Sequence, residues 1–193
     1  MQEYADLSHM VPTSSSQGNL TQTYLPHHGV LRETSSTTKL RVVFNRSSLT
    51  SMGVSLNDCL HAGPKLQQDL DAVILRWRMH AFAFAADIEK MYRQIVIHPE
   101  DRHHQQILWS TSDLPCSYQL TTVTYGLTSA PYFTLRVLQQ LTVDKEHAFP
   151  QTANIVCTAI YVDDVLSGAN TPQDARVRAL QITELLRAGG FRL

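Results

Sequence analysis

The sequence lacks several motifs that would assign a chemistry at once. It has no CxxC pair, no HExxH, no GxxxxGK[ST] and no Asp-Thr-Gly or Asp-Ser-Gly triplet. These absences remove the zincin and P-loop readings and leave no aspartic-protease signature. Cysteine is scarce and odd in number: Cys59, Cys116 and Cys157 are expected to be free thiols in a reducing compartment. No apolar run approaches the ~18 residues that a membrane span needs. The start, Met1-Gln2-Glu3-Tyr4-Ala5-Asp6, does not read as a signal peptide. The expectation is a soluble intracellular, cytoplasmic protein with no membrane partner. An excess of positive charge is missing too. The chain has 16 Lys+Arg, 17 Asp+Glu and a net charge of -1, a balance that does not advertise a nucleic-acid binder. His27-His28 and His103-His104 suggest a transition metal only superficially. Adjacent histidines on a strand point apart, and no Cys or third His has ligand spacing.

What remains is a globular composition, 43% hydrophobic and 17% charged over 193 residues, long enough to bury a core. The acidic excess is uneven: residues 1–86 hold seven Lys/Arg and six Asp/Glu, residues 87–193 nine and eleven. Residues 1–23 are polar and read as a flexible N-terminal arm. A short strand entry at 24–32 and a strand from Lys39 to Phe44 follow. Leu66, Leu70, Val73, Ile74 and Trp77 recur at helical spacing. Phe82, Phe84 and Ala86 alternate into a strand that ends at Asp87. Further strands are expected at 94–98, 105–109 and 117–123. A helix is expected from Pro131 to Leu141, with Phe133, Val137 and Leu141 on one face. The last helix runs from Pro172 to Gly189, capped by Thr171, with Val177, Leu180 and Leu185 apolar. Strands and helices without strict alternation predict an α+β fold, a sheet with helices packed on one face.

The most informative stretch is Tyr161-Val162-Asp163-Asp164. It follows the apolar run 155–162, which reads as a buried strand, and Ser167-Gly168 closes the next short one. The expected product is a hairpin with two acids at its tip. Adjacent carboxylates repel unless a cation sits beside them, and hard divalent cations prefer oxygen ligands. Alone, the pair reads equally well as solvated turn residues. Asp87, at the end of its own strand, is read either as a partner acid or as a strand-end or cap residue.

Three stretches, Ala85-Ala86-Asp87-Ile88-Glu89-Lys90-Met91-Tyr92, Tyr125-Gly126-Leu127-Thr128-Ser129-Ala130-Pro131 and Tyr161-Val162-Asp163-Asp164, resemble motifs A, B and C of reverse transcriptases in order. The flanks 24–28, 38–44, Ser55-Leu56-Asn57-Asp58-Cys59-Leu60 and Gly63-Pro64-Lys65-Leu66-Gln67 resemble the Bel/Pao class of LTR retrotransposons. The resemblance covers about residues 20–193. It implies a right-hand polymerase fold, with 24–84 mostly fingers and 85–193 mostly palm with part of the fingers. The palm sheet would be a mixed antiparallel one. The thumb and RNase H regions have no counterpart in these residues.

The resemblance also implies roles. Asp87 and Asp163 would bind metal, with Asp164 supporting them, and the cofactor would be two Mg²⁺ ions, Mn²⁺ being an alternative. Tyr92 would be the steric gate under the sugar, or a core tyrosine. Ile88 would offer its backbone N–H to the triphosphate. Tyr125 would stack on a nucleotide or template, or be a packed aromatic, and Gly126 would allow close backbone approach. Arg41 and Lys39 would meet the triphosphate, or be solvated strand charges. The partners implied are an RNA or DNA template, a DNA primer, deoxynucleoside triphosphates and other retroelement polyprotein domains. Asn45-Arg46 departs from the family, where related elements often read Asp-Ala. Three functions stay open: an RNA-directed DNA polymerase, a truncated or domesticated fragment that binds nucleic acid or a partner without catalysis, and a retroelement relic.

Overall fold

A computed structural model describes residues 1–13, 23–31, 33, 40–110 and 114–193, except for the side chain of residue 154. In chain order the elements are α1 (Gln2–Asp6), β1 (Met10–Pro12), β2 (His27–Leu31), β3 (Leu40–Phe44), α2 (Leu56–Cys59), α3 (Leu70–Arg78), β4 (Phe82–Asp87), β5 (Gln106–Trp109), β6 (Cys116–Leu120), α4 (Ala130–Asp144), α5 (Pro150–Ala159), β7 (Ile160–Tyr161), β8 (Asp164–Ala169) and α6 (Pro172–Ala188). Short 3-10 helices cover Met91–Gln94 and Pro99–His104. The fold is mixed α+β, with three small sheets, and every strand pair within them is antiparallel. Among the described residues no helix is long and apolar enough to cross a membrane.

The chain forms two compact units, Met1–His61 with Ile95–Ala130, and Ala62–Gln94 with Pro131–Leu193. The first contains the β1-β6-β5 sheet and the β2-β3 hairpin. Met10 pairs with Leu120, and both are buried. Residues 10–12, in the stretch expected to be an arm, thus add a strand to this unit. The single turn of α2 forms because Ser55 and Asp58 make a capping box, each side chain accepting from the other residue's backbone N–H.

The second unit holds the β4-β8-β7 sheet, with α6 against β8 and β4, and α3 and α5 against β8. Its last helix begins as expected: Thr171 accepts from the Asp174 N–H at 3.1 Å, and Pro172 occupies the first turn. It ends in a Schellman arrangement. Phe191 N–H reaches Leu186 O and Gly190 N–H reaches Arg187 O, both at 3.0 Å, with Gly190 at φ +85°. Phe191 and Leu186 are both buried, the apolar contact that usually accompanies this cap.

The run 155–162 departs from expectation. Residues 150–159 are helical and only Ile160 and Tyr161 are strand. Pro150 starts the helix, and Thr152, Ala153, Val156 and Ala159 are buried in it, a spacing of three and four rather than two. A short apolar run does not by itself distinguish the two structures. Two helix faces are also rotated from expectation. In α4, Thr134, Leu138 and Leu141 are buried while Phe133 is 47% exposed; in α6, Ile182, Leu185 and Leu186 are buried while Val177 and Leu180 are exposed. The strand expected at 94–98 reduces to a single bridge between Val96 and Thr122.

Candidate functional site

The β4–β8 ladder carries the acids. Its register runs from Phe82↔Ala169 to Asp87↔Asp164, so the acid at the end of β4 faces the acid at the start of β8. Directly opposed residues share a face of the sheet, with Cβ atoms about 5 Å apart. Below them Val165 is fully buried, whereas both acids are exposed. Ile88 N–H, expected at a triphosphate, donates in this structure to Asp163 O at 2.8 Å and so ties the third acid to the same strand end. Glu89 N–H is likewise bonded, to Arg192 O at 2.8 Å, which fastens the segment after β4 to the chain leaving α6.

The tip of the hairpin is strained. Tyr161 pairs with Asp164, leaving a two-residue loop of Val162 and Asp163. Such loops need a left-handed residue at the first central position, normally Gly, Asn or Asp. Here Val162 fills it at φ +56°, at a cost of about 1–2 kcal/mol for an L-residue. Gln67 bridges this turn: its Nε2 donates to Ile160 O and its Oε1 accepts from Val162 N–H, both at 3.1 Å.

The donor set suits a hard cation chemically. Asp87's carboxyl is pushed above its ordinary range, first by desolvation and then by the negative charges of Asp163, Asp164 and Glu89. A divalent ion beside these oxygens would relieve that repulsion. Among the described residues, however, no three His, Cys, Asp or Glu side chains already form a group that could hold a metal ion. Tyr92 lies half-buried on the 3-10 helix that follows β4, in the same unit.

Other sequence candidates fall in the first unit. The Arg41 guanidinium sits over the Tyr125 ring, 5.0 Å from its centroid, within cation–π range. Gly126 adopts φ +88°, and a Cβ there would lie 3.3 Å from Arg46 Nη1. Lys39 lies outside the described residues.

Three residues whose roles the sequence reading missed organise these turns. Arg46, only 3% exposed, donates to Thr124 Oγ1 at 2.9 Å and Phe44 O at 2.7 Å, packing beneath Gly126. Arg46 is therefore a buried structural arginine. Asn57 donates to Gly126 O and accepts from Thr128 N–H, both at 3.0 Å. Asn57 and Gln67 lie within the quoted flanks, but their partners are 69 and 95 residues away. No local pattern reveals a bond over that distance; an amide side chain beside a turn-rich motif was the only available signal.

No protein-family model and no curated protein matches the chain. Among solved structures, the fold is similar to that in the crystal structure of prototype foamy virus protease-reverse transcriptase, with a TM-score of 0.68 at 14% sequence identity. The match covers 99% of this chain and 22% of that chain, so the chain spans about a fifth of the viral protein's length. At this identity the likeness is one of fold.

Proposed function

We propose that this chain is the fingers and palm portion of an RNA-directed DNA polymerase from a Bel/Pao-type retroelement. It extends a DNA primer with deoxynucleotides on an RNA or DNA template. The single observation that carries the reading is the β4–β8 register, which opposes Asp87 to Asp164 and hydrogen-bonds Ile88 to Asp163. The fold likeness and the three sequence motifs agree with it. The Bel/Pao assignment rests on the sequence flanks alone. Residues 24–84 are then mostly fingers and 85–193 mostly palm with part of the fingers.

Bound divalent ions, two Mg²⁺ or Mn²⁺ in their place, would make the primer hydroxyl more acidic and neutralise charge on the triphosphate. Asp87 and Asp163 would supply carboxylate oxygens to them, and Asp164, opposite Asp87 and next to Asp163, would support the pair. Substrate phosphate oxygens complete the coordination, since Mg²⁺ sites commonly combine one or two carboxylates with phosphates and waters. Tyr92 limits the room at the sugar's 2′ position. Tyr125 and Gly126 contact the nucleotide or template, and Arg41 and Lys39 offer positive charge to the triphosphate. A triphosphate contact at Ile88 would require its N–H to exchange the Asp163 bond.

A second reading, a fragment that binds nucleic acid or a partner without turnover, is favoured by one observation: the acids do not already form a three-ligand group among the described residues. One assay separates the two. The protein is given primed poly(rA), Mg²⁺ and dTTP beside its Asp163→Asn variant. Incorporation by the wild type that falls at least about 100-fold in the variant supports catalysis. Equal signals from the two proteins sink it.

A further inference from the structure

We infer that Gln67 is a positioning residue for Asp163, acting through the strained turn at Val162; the inference rests on the metal-binding reading of the acids. The left-handed Val162 immediately precedes Asp163, so any relaxation of that φ re-aims the acid. β-Branched residues rarely hold this conformation, and strain of this kind persists only where the surroundings enforce it. The enforcement is visible. One side-chain amide spans the turn, donating to Ile160 O and accepting from Val162 N–H, both at 3.1 Å. A primary amide is the shortest group that offers a donor and an acceptor side by side. The other side of the acid is fixed by Ile88 N–H on Asp163 O at 2.8 Å. The bonds at Val162 N–H and Asp163 O flank the link between the strained residue and the acid, and all of these residues belong to the same compact unit.

Gln67 is half-buried and lines a small pocket with Leu66, Leu138 and Val156. Each substitution has a distinct consequence. Ala removes both bonds. Asn keeps the amide but is one methylene too short to reach Ile160 O and Val162 N–H. Glu keeps the acceptor for Val162 N–H and sets a carboxylate against Ile160 O.

The test uses the full chain and Mn²⁺ alone as probe, with affinity read by electron paramagnetic resonance and the Val162 amide followed by hydrogen exchange. Gln67→Ala and Gln67→Asn are expected to weaken Mn²⁺ binding about tenfold and to speed exchange at Val162. Gln67→Glu should fall between them and the wild type, and Gln68→Ala should match the wild type. A merely structural role would lower the melting temperature and leave Mn²⁺ affinity alone. Folded Gln67→Ala protein that binds Mn²⁺ within twofold of wild type overturns the inference, as does wild-type exchange at Val162. Asp163→Asn separates the premise from the inference. If wild type binds Mn²⁺ no better than Asp163→Asn, the metal reading fails and the positioning role falls with it.

Discussion

Asp87 carries a penalty that depends on pH. The folded protein holds its carboxyl above the ordinary 3.8, so the native state keeps a proton that the unfolded chain has already released. Stability through this group is therefore greatest below pH 3.8, falls as pH rises through the raised value, and stays at its lower level above it. Asp87→Asn should melt at a higher temperature than wild type at pH 7, by a few degrees at most because the acids face solvent. That gap should close below pH 3.8; a lower melting temperature for the variant at pH 7 would contradict the repulsion. Such a gain in stability would be the usual trade if the acid serves the proposed function. Tyr92 is tested by selectivity instead. In the primer assay Tyr92→Ala should accept ribonucleotides at least about tenfold better relative to deoxynucleotides, and unchanged discrimination would make it a packing residue. At this scale the sequence revealed residues whose own chemistry is conspicuous, such as adjacent acids and an aromatic at a motif position. It concealed Gln67, Asn57 and Arg46, whose importance lies in partners distant along the chain.

The β4–β8 ladder depends on one small residue. A Cβ on Gly168 would lie 2.5 Å from Phe82 O and 2.9 Å from Ala83 Cα, both backbone atoms that do not yield easily. Gly168→Ala should cost about 1–3 kcal/mol in urea unfolding, the range for overpacking, and should weaken Mn²⁺ binding by spreading the ladder that opposes Asp87 to Asp164. Wild-type stability in this variant would mean that the strands separate freely. Helix ends were legible because their signals are local: Thr171, Pro172 and the Gly189-Gly190 pair bound α6 where expected. Helix faces were not. Phe133, Val177 and Leu180 are as apolar as the residues that are buried, and only packing decides which stripe turns inward. The helix at 150–159 was missed for a related reason, since β-branched residues dominate its second half and tertiary packing overrides their weak preference.

For the whole molecule, the near balance of charge sets an expectation for nucleic-acid binding. With 16 basic residues against 17 acidic ones, few phosphates can be neutralised at once. Binding of a primed template, followed by fluorescence anisotropy across a salt series, should give a log–log slope no steeper than about −3. A slope near −6 would reveal a cationic track that the net charge hides. The α+β class was legible from the irregular order of elements. The division into two units, each assembled from two separate stretches of chain, was not, because it arises from long-range pairing such as Met10 with Leu120 and Phe82 with Ala169.

The ladder that opposes Asp87 to Asp164 behaves as a ruler, and this bears on how such a gene can drift. Substitutions along β4 leave the count of residues intact, and Ala83, Ala85 and Ala86 show how little side chain the strand requires. A single inserted or deleted codon between Phe82 and Asp87 is different in kind. It shifts the register by one, turns Asp87 to the opposite face and leaves Asp164 facing another residue. Lineages carrying this segment should therefore vary freely in spelling and scarcely at all in length. A change of phase in the strand would then undo the opposition of Asp87 and Asp164 with every acid still encoded.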